Sequence, residues 1–491
     1  MKFEEFEILS GNFNLVPVYE VITADMLTPV LAYLKIRNEN QQSFLLESVE
    51  KSTQLSRYSF IGVNPKQIIT NKGNALTIEE NHKSETIDFS IFDYFKRFSK
   101  NFKQALPEAL PDFTGGWVGF LGYENISLIE KKLDVNSEDL NIPDSNFGLY
   151  DNILAFDHYK HQIILICNVE ILPDKDLLGS FVEAKDKLSE LKTSLSKPLS
   201  YNSSFKIKNN SGTPIDSELF YKQVTDAKDK IMNGDIFQIV LSKRFSSHYE
   251  GDAFNVYRAL RIINPSPYMY FLDFKDDLKI MGTSPEDLLK VKDRKAMVRP
   301  IAGTRGRGKT IEAEKQLEEE LLSDKKELAE HTMLLDLGRN DLGKVCEYGS
   351  VKVTEKMILQ KYSHVMHLVS RVEGILAADK DSIDALMSCF PAGTVTGAPK
   401  LSAIGHIKRL ENSDRNIYAG AVGYLDYSGN LDMCISIRTL FATGNKIYWQ
   451  SGAGIVADSK PELEEKEIIN KSGSMVNSLK YAGVIDESFG N

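Results

Sequence analysis

The segment SGAGIVADSKPELEEKEIINK, from Ser451 to Lys471, joins a glycine-rich turn to a helix that begins near Pro461. Within that helix Glu464, Glu467 and Lys471 are spaced i, i+3 and i+7, so the three side chains lie on one face. The run KIYWQS before the turn is typical of a strand. The segment therefore predicts a strand, a tight turn and a helix that presents two carboxylates together.

A second pair of carboxylates, Glu327 and Glu330, repeats the i, i+3 spacing in DKKELAEH. Two helices that each offer paired carboxylates suit a Mg²⁺ site for an anionic substrate, because Mg²⁺ prefers oxygen ligands and retains water or substrate oxygens. A solvated acidic face is the alternative, since 26% of the residues are charged. Lys471 is then only an i, i+4 partner of Glu467. The spacing alone leaves both interpretations open.

Length and composition limit the class of protein. A chain of 491 residues is too long for one ordinary core, so we expect two domains or one large composite. A hydrophobic content of 42% with 10% aromatic residues excludes a disordered chain. The net charge of −10 argues against nucleic acid as the main partner. A small anion can still bind at local basic groups, helix N-termini or a metal.

The four cysteines are far apart and show no metal-ligand spacing: Cys167, Cys346, Cys389 and Cys434. We expect them to be reduced, buried thiols of a cytosolic protein. The acidic start MKFEEFEILS lacks the order of a signal peptide, and no run of 18 apolar residues is present. The sequence therefore predicts a cytoplasmic protein that does not engage a membrane.

A polar segment from Lys197 to Ser217 is the clearest linker, which predicts domains at residues 1–200 and 210–491. Before it, strand-like runs such as QSFLLES and HQIILICNVEIL predominate. After it, we expect one long helix over EKQLEEELLSDKKELAEHTMLLDLG, ending at Gly338, and one strand over LDMCISIRTLFAT. Together these patterns predict an α+β fold with two large, mostly antiparallel sheets packed as a sandwich and helices on the outside.

The stretch GTRGRGKT, from Gly303 to Thr310, satisfies the nucleotide-binding pattern G-x-x-x-x-G-K-[ST]. A P-loop nucleotide-binding protein is therefore an alternative from another class. Pro300 in the preceding strand, the densely acidic helix that follows and the helical periodicity of MLLD count against it. A second pattern, GAGIVA, matches a dinucleotide fingerprint, but Pro461 follows too soon for a helix to begin there.

Two side chains stand out on predicted strands. His367 in HVMHLVSRV is more often structural than catalytic in such a setting. Arg438 in CISIRTLF shares a strand face with Cys434 and Ser436, and a guanidinium there needs an anion from the protein or from a substrate. Tyr418 in NIYAGAVGY could supply a hydroxyl beside it.

In their order along the chain, several segments resemble the chorismate-utilising enzyme family. The resemblance covers Glu218 to about Ala482 and rests on seven blocks: GDIFQIVLSKRF, GTSPE, RPIAGTRGRG, KELAEHTMLLDLGRND, FPAGTVTGAPK, YAGAVGY with SIRT, and GAGIVADSKPELEEKEIINK. The earlier part resembles the amino-acid-binding half of the family through LLES and RYSFIG. The resemblance implies chorismate as the substrate and Mg²⁺ as the cofactor.

Two positions favour one chemistry within that family. Members that add water to chorismate carry a lysine base where this chain has Gln238, and a neutral amide cannot take a proton from water. Aminodeoxychorismate synthases carry a lysine nucleophile where this chain has Ala302. Both departures favour a lyase that uses ammonia and forms anthranilate and pyruvate, the first step of tryptophan biosynthesis. Aminodeoxychorismate synthase component I is the alternative within the family.

The resemblance also implies roles for individual residues. Glu330 and Glu467 would hold Mg²⁺, with Glu327 and Glu464 in direct or water-mediated support. The substrate-binding residues would be Gly303, Thr304, Tyr418, Arg438, Gly452, Ala453, Gly454 and Lys471. The catalytic residues would be Glu286 as the acid that protonates the leaving hydroxyl, His367 in pyruvate elimination, and Thr304. NPSPYMYF resembles a tryptophan feedback site, which would comprise Glu47, Ser48, Pro267, Tyr268 and Met269.

A partner is implied as well. None of the four cysteines lies between glycines on a nucleophile elbow, so the chain has no glutaminase nucleophile of its own. The resemblance therefore implies a separate glutamine amidotransferase subunit that delivers ammonia.

Overall fold

The computed structural model describes all residues except 39, 50–56, 134–139, 200, 202–203, 209–214, 275–277, 309, 362–364, 412 and 487–491, and except the side chains of Thr304 and Lys326. The strands are β1 Leu15–Thr23, β2 Ser43–Glu47, β3 Tyr58–Val63, β4 Gln67–Lys72, β5 Ala75–Glu80, β6 Lys83–Asp88, β7 Gly116–Leu121, β8 Ser145–Tyr150, β9 Asn152–Asp157, β10 Gln162–Glu170, β11 Phe205–Ile207, β12 Gln238–Gly251, β13 Tyr268–Asp273, β14 Lys279–Ser284, β15 Asp287–Lys292, β16 Lys295–Val298, β17 Ile301–Gly306, β18 Lys352–Lys361, β19 Val365–Ile375, β20 Gly397–Ala398, β21 Ala421–Asp426, β22 Leu431–Ile435, β23 Thr439–Thr443 and β24 Lys446–Ile455.

The α-helices are α1 Phe3–Ser10, α2 Pro29–Ile36, α3 Ile91–Phe98, α4 Ile126–Ile129, α5 Leu177–Ser196, α6 Ser217–Met232, α7 Phe254–Ile263, α8 Ile311–Ser323, α9 Lys325–Gly343, α10 Ser382–Cys389, α11 Lys400–Leu410 and α12 Pro461–Ala482. Short 3₁₀ turns cover Tyr123–Asn125 and Gly393–Val395. Within the described residues, no helix is long and apolar enough to cross a membrane.

The described strands form two sheets, each with twelve strands. The first has the order β1-β10-β9-β3-β2-β13-β14-β23-β24-β12-β11, with β20 paired to β12. The second has the order β17-β19-β16-β15-β22-β21-β7-β8-β4-β5-β6, with β18 paired to β19. The pairings are antiparallel, as in β12 with β24 and β21 with β22.

The two sheets pack face to face through an apolar layer. Phe44, Tyr270 and Phe441 of the first sheet and Phe120 and Val422 of the second belong to one buried cluster. Burying such a side chain contributes on the order of 1.5–3 kcal/mol, so this layer holds the sheets together. Two further clusters cover the outer faces, with α5, α6, α7 and α12 on the first sheet and α3 and α10 on the second. The predicted α+β sandwich with outer helices is confirmed.

Both sheets combine strands from the two predicted domains. In the first sheet β2 pairs with β13, so that Glu47 is opposite Met269. In the second sheet β7 pairs with β21, so that Gly119 is opposite Gly423. Residues 1–200 and 210–491 therefore share their cores, as in the large composite that the chain length allowed. The functional division between the two segments stays a prediction.

The polar linker carries structure of its own. Residues 205–207 form β11, which pairs with the end of β12, and Phe205 is buried. Helix α6 then begins at Ser217 because the Asp216 side chain accepts a hydrogen bond from Leu219 N, which caps the helix.

Two expected elements are each divided. The prediction of one long helix ending at Gly338 is wrong, because the chain forms two helices, α8 and α9, that meet at Asp324. The Asp324 side chain accepts a hydrogen bond from Glu327 N at the start of α9, and α9 continues to Gly343. The single strand over LDMCISIRTLFAT is also wrong, because the chain leaves β22 after Ile435 and enters β23 at Thr439. Between these strands Arg438 adopts a left-handed backbone with φ of 51°. Arg438 therefore does not share a strand face with Cys434 and Ser436.

The described residues of the GTRGRGKT stretch, 303–308 and 310, do not form a P-loop. Its first part lies in β17, which pairs antiparallel with β19 at the end of the sheet order, whereas a P-loop follows a parallel strand. Thr310 caps α8 by accepting from Ala313 N. The nucleotide-binding alternative is therefore wrong. GAGIVA likewise runs along the antiparallel strand β24 and into the following turn.

Candidate active site where two strands cross between the sheets

Two neighbouring chain segments pass from one sheet to the other at the same place. Residues 285–286 carry the chain from β14 in the first sheet to β15 in the second, and residues 436–438 carry it from β22 back to β23. Thr283 N donates to Arg438 O at 3.2 Å, and Ile435 N donates to Glu286 O at 3.0 Å. We call these residues the crossing corner. It brings Glu286 and Arg438 together although 152 positions separate them in sequence.

Arg438 is held in place without an ion-pair partner. Its Nη1 donates to Lys471 O at 2.6 Å and to Ser474 Oγ at 3.4 Å. Burial lowers the pKa of Arg438, and in the described part of the chain no carboxylate lies within ion-pair distance of it. A left-handed non-glycine residue that carries a partly buried charge without a carboxylate partner is the kind of strain found at functional sites. The arrangement suits an anionic ligand.

Tyr418 and the glycine-rich strand face each other closely. A Cβ added at Gly452 would lie 2.7 Å from Tyr418 Oη and 2.9 Å from Leu241 O, so only glycine fits there. Burial raises the pKa of Tyr418 to about 12, although Arg415 and Arg438 lower it, and the phenol therefore remains a donor at neutral pH. Likewise, a Cβ at Gly454 would lie 2.8 Å from Gln238 Nε2.

Lys471 joins β24 to α12. Its Nζ donates to Gly452 O at 3.1 Å and pairs with Glu467 Oε1 at 2.6 Å. The i, i+4 pair expected from the sequence is therefore present, and the same ammonium group also reaches the glycine-rich strand. This dual contact places the acidic face of α12 beside the proposed substrate residues.

Glu286 is the acidic group of the crossing corner. Burial raises its pKa to about 8, Asp287 raises it further, and the Thr394 hydroxyl and Lys471 lower it. Since ordinary glutamate titrates near 4.3, this carboxyl holds its proton at neutral pH. The geometry thus supplies a proton donor next to a cationic pocket.

His367 supplies a neutral imidazole. Its Nδ1 lies 3.1 Å from Gly303 O, and a carbonyl oxygen only accepts, so Nδ1 carries the proton and Nε2 is the basic nitrogen. Burial lowers the pKa of His367, the bond to Gly303 raises it, and Arg438 lowers it. His367 is therefore a base rather than a cation at neutral pH, and its electrostatic coupling to Arg438 places it at the same site.

The four proposed metal ligands lie on two helices, Glu327 and Glu330 on α9 and Glu464 and Glu467 on α12. Glu327 of α9 accepts from Arg305 Nη1 at 3.2 Å, and a Cβ at Gly303 would lie 3.3 Å from Glu327 Oε2. Glu467 of α12 pairs with Lys471, as described above. In the residues that the structure describes, no three acidic, histidine or cysteine side chains are grouped to hold one ion. All four donors are carboxylates, so they fit Mg²⁺ by chemistry. The shared site of Glu327, Glu330, Glu464 and Glu467 stays a prediction.

The proposed amino-acid site is a cavity between the sheets. All five predicted residues line it: Glu47, Ser48, Pro267, Tyr268 and Met269. Tyr58, Phe60 and Tyr424 add aromatic walls. The Glu47 carboxylate accepts from Tyr257 Oη at 2.5 Å and from Arg261 Nη2 at 3.0 Å. The cavity therefore combines aromatic surface with two paired carboxylates, Glu47 and Asp432, the second of which pairs with Lys290.

Comparison with known proteins places the chain in a family. The model of the chorismate binding enzyme family matches residues 41–477. Anthranilate synthase component 1 of Acetivibrio thermocellus is 42% identical over 98% of this chain and 99% of its own length. The chain belongs to the chorismate binding enzymes, in the anthranilate synthase component 1 family. The family assignment made from the sequence is thereby confirmed.

Solved structures agree with this assignment. Anthranilate synthase component I from Streptococcus pneumoniae superimposes with a TM-score of 0.76 at 37% identity and covers 93% of this chain and 99% of that one. The menaquinone-specific isochorismate synthase of Escherichia coli has a TM-score of 0.70 at 20% identity, with coverage of 97% and 98%, which shows a shared fold alone.

Most of the residues expected from the family resemblance lie in one neighbourhood. Contacts or electrostatic couplings connect seven of them: Gly303, His367, Arg438, Tyr418, Gly452, Lys471 and Glu286. Ala453 is buried in β24 between Gly452 and Gly454, opposite Leu241. The Thr304 side chain lies outside the described residues, although its backbone belongs to β17. The roles of all these residues stay predictions.

Sequence reasoning missed two residues of this neighbourhood. Thr394 lies beside Glu286, and its position inside the family block FPAGTVTGAPK was the available signal. Arg415 is 2% exposed and contacts several walls of the site. No local pattern marks Arg415, because its partners come from distant parts of the chain.

A larger cleft of about 810 Å³ lies elsewhere, at the ends of β4, β5 and α5. Its lining includes Lys66, Asp151, Glu170 and Lys187 and none of the predicted site residues. The candidate site is therefore distinguished by backbone strain, partly buried charge and perturbed acidity rather than by size.

Proposed function

We propose that this chain converts chorismate and ammonia into anthranilate and pyruvate. The observation that carries the proposal is Arg438, a partly buried guanidinium with no carboxylate partner among the described residues, on the same crossing corner as a carboxyl whose pKa is about 8. The curated relatives that span the whole chain are named anthranilate synthase component 1, which supports this reaction.

Substrate binding follows from the cationic and hydroxyl groups of the site. Chorismate has two carboxylates, and Arg438 with the protonated Tyr418 would hold the enolpyruvyl carboxylate. Gly452 and Gly454 let the substrate approach the strand backbone, and Lys471 at Gly452 O adds positive charge. Glu330 and Glu467, supported by Glu327 and Glu464, would hold Mg²⁺, which supplies charge neutralisation for the ring carboxylate.

The first step forms one carbon–nitrogen bond and breaks one carbon–oxygen bond. Ammonia adds at ring carbon 2, the ring double bonds shift, and the hydroxyl at carbon 4 leaves. Glu286 gives its proton to that hydroxyl so that it departs as water. Gln238, next to Gly454, offers an amide in place of a base, so water is not activated at this position.

The second step restores aromaticity. The proton at carbon 2 is removed, and the enolpyruvyl group leaves and is protonated to pyruvate. Nε2 of His367 is the basic nitrogen of this site, because Nδ1 is committed to Gly303 O. We assign the assistance of this elimination to His367.

The ammonia has to come from another subunit when glutamine is the source. All four cysteines are buried, and burial raises the pKa of Cys167 to about 12 and of Cys346 to about 11. Thiols of this kind are poor nucleophiles, so the chain itself does not hydrolyse glutamine. We propose a glutamine amidotransferase subunit as partner, a cytoplasmic location, and tryptophan as the inhibitor that occupies the cavity at Glu47.

The test is an assay of the purified chain with chorismate, Mg²⁺ and an ammonium salt. Blue fluorescence of anthranilate should appear in proportion to time, and glutamine should not replace ammonium. Formation of aminodeoxychorismate without fluorescence would instead support the alternative named from the sequence. Chelation by EDTA should abolish the signal, and Glu330→Gln should abolish it while leaving the melting temperature nearly unchanged.

If Glu330→Gln retained activity with the same Mg²⁺ dependence, the proposed ligand set would be wrong. Glu347→Gln is a matched control, because Glu347 is an exposed glutamate outside the site. It should behave as the unchanged chain.

A further inference from the structure

We propose that Arg415 is a positioning residue, which sets the geometry of three walls of the active site through one buried guanidinium. The inference deepens the proposed function and rests on it, because the walls in question are those assigned to chorismate. Arg415 is 2% exposed and is held by Glu411 through Nε to Oε2 at 2.9 Å and Nη2 to Oε1 at 2.7 Å.

The first two walls are backbone segments. Arg415 Nη1 donates to Val395 O at 2.6 Å, and Val395 follows Thr394, the residue beside Glu286. Its Nη2 donates to Val240 O at 2.7 Å, and Val240 is opposite Gly454 in the β12–β24 pair. Since a guanidinium has fixed donor directions, these two bonds fix the distance between the Thr394 turn and the glycine-rich strands.

The third wall is the tyrosine assigned to the substrate carboxylate. The Arg415 guanidinium lies 5.6 Å from the ring centre of Tyr418, and Tyr418 N donates to Arg415 O at 3.0 Å. The charge also lowers the pKa of Tyr418, which burial raises. Arg415 therefore influences both the position of the phenol and its strength as a donor.

The opposite side of Arg415 is held by the first half of the chain. Tyr123 places its ring 4.8 Å from the guanidinium, and Glu124 Oε1 accepts from Arg415 N at 2.9 Å. Glu411 Oε1 also accepts from Ser242 N and Oγ, at 2.7 and 2.8 Å. Arg415 thus lies at the centre of a buried hydrogen-bond network that joins both halves of the chain.

Lysine keeps the charge of arginine but loses the two-directional donor fork, so Arg415→Lys is the informative variant. The matched control is Arg37→Lys. Arg37 is also largely buried, pairs with Asp252 and lies 5.2 Å from the ring centre of Phe254, and it contacts none of the site residues. Tyr123→Leu removes only the ring that covers Arg415, and it serves as a milder second variant.

We expect kcat/KM for chorismate to fall at least about tenfold in Arg415→Lys and about threefold in Tyr123→Leu, because a displacement near 1 Å at a reacting centre is costly. Arg37→Lys should stay within about twofold of the unchanged chain even if its melting temperature falls equally. The alkaline limb of the pH profile, corrected for free ammonia, should shift in Arg415→Lys but not in Arg37→Lys. The reason is that the turn at Thr394 lines the same cavity as Glu286, so displacing it alters the surroundings that raise the pKa of that carboxyl.

Equal kinetic constants and pH profiles in Arg415→Lys and Arg37→Lys, measured well below both melting temperatures, would overturn the proposal. If Arg415→Lys does not fold, Tyr123→Leu provides the test. No change in kcat/KM or in the pH profile of Tyr123→Leu overturns the proposal. A fall in kcat/KM together with a shift of the alkaline limb of the pH profile supports it. Failure of the proposed function is a separate result, since the unchanged chain would then form no anthranilate.

Discussion

The crossing corner and the cavity at Glu47 use charge in opposite ways. At the corner, Arg438 contacts a carbonyl and a hydroxyl but no carboxylate among the described residues, and Glu286 keeps its proton near neutral pH. In the cavity, Glu47 is already paired with Arg261 and Tyr257. The corner therefore suits a ligand that brings negative charge, whereas the charge of Glu47 is already neutralised. This difference fits the roles proposed for the corner in chemistry and for the cavity in recognition.

The two regions are nevertheless connected by hydrogen-bonded strands. Tyr268 and Met269, which line the cavity, pair with Ser284 and Thr283 of β14, and Glu286 follows two residues later. Tyr268 Oη also donates to Asp432 at 2.8 Å, on the strand that leads to the corner at Ile435. A ligand that shifts Tyr268 would therefore act directly on the segments that carry Glu286 and Arg438. The variants below test the roles proposed for these two regions, first at the corner and last at the cavity.

The largest effect is expected from Glu286→Gln. An amide cannot give a proton to the leaving hydroxyl, so kcat should fall about 10³-fold while KM for chorismate changes little. In the unchanged chain the rate at fixed free ammonia should decline above pH 8, because Glu286 then loses its proton. Anthranilate fluorescence measured from about pH 6 to about pH 9.5 gives both the fall in kcat and the pH profile.

Protein stability provides the control for this variant. The folded-state pKa of Glu286 is raised, so the unchanged chain loses stability as pH rises from the unfolded pKa towards about 8. Glutamine has no such titration, so Glu286→Gln should be at least as stable above pH 8. An inactive variant with a lower melting temperature at that pH would point to misfolding rather than to a lost acid.

His367→Met should have the next largest effect, on the second step alone. Without the basic Nε2, the release of anthranilate should fall about 10²-fold. The product of the first step, aminodeoxyisochorismate, should accumulate, because the addition of ammonia does not use His367. Chromatography of the products separates the two compounds. Unchanged anthranilate output would remove His367 from the mechanism.

Much of the corner could be expected from the sequence, because its residues lie in short blocks. The blocks around Glu286, Tyr418, Gly452 and Lys471 resemble one family when they are taken together and in order, whereas no single block is decisive. Helix α12 and strand β10 followed from periodicity and from Pro461 at the start of the helix.

The remainder depends on contacts between distant segments, which no local pattern encodes. The two sheets mix strands from both halves, and strand order depends on tertiary pairing. The left-handed backbone at Arg438 could not be read from CISIRTLF, where alternation favours one continuous strand. The break at Asp324 was hidden because helix propensity is high on both sides and one capping aspartate decides it.

Gly452→Ala tests the shape of the corner rather than its charges. The new methyl would lie 2.7 Å from Tyr418 Oη and 2.9 Å from Leu241 O, so the tyrosine or the strand has to move. We expect KM for chorismate to rise about tenfold with a smaller change in kcat, because binding geometry is disturbed more than proton transfer. Gly444→Ala at the β23–β24 turn has open space around it and serves as a comparison, although its φ of 56° favours glycine. Equal KM values in the two variants would contradict the close approach.

The smallest catalytic effect, and the sharpest test of the cavity, is expected from Glu47→Gln. Loss of a charge-assisted bond to an ammonium group is worth about 1.5–3 kcal/mol, so inhibition by tryptophan should weaken by about 10- to 100-fold. Anthranilate formation without tryptophan should change far less, because Glu47 pairs with Arg261 and Tyr257 rather than with the corner. Inhibition curves at a fixed chorismate concentration measure the change in tryptophan affinity.

Glu170→Gln is the control, because it removes only a surface pair with Lys66 and should leave inhibition unaltered. If tryptophan inhibited Glu47→Gln as strongly as the unchanged chain, the Glu47 carboxylate would be a structural partner of Arg261 alone. The role proposed for the cavity in binding tryptophan through Glu47 would then be wrong, while the role proposed for the corner would be unaffected.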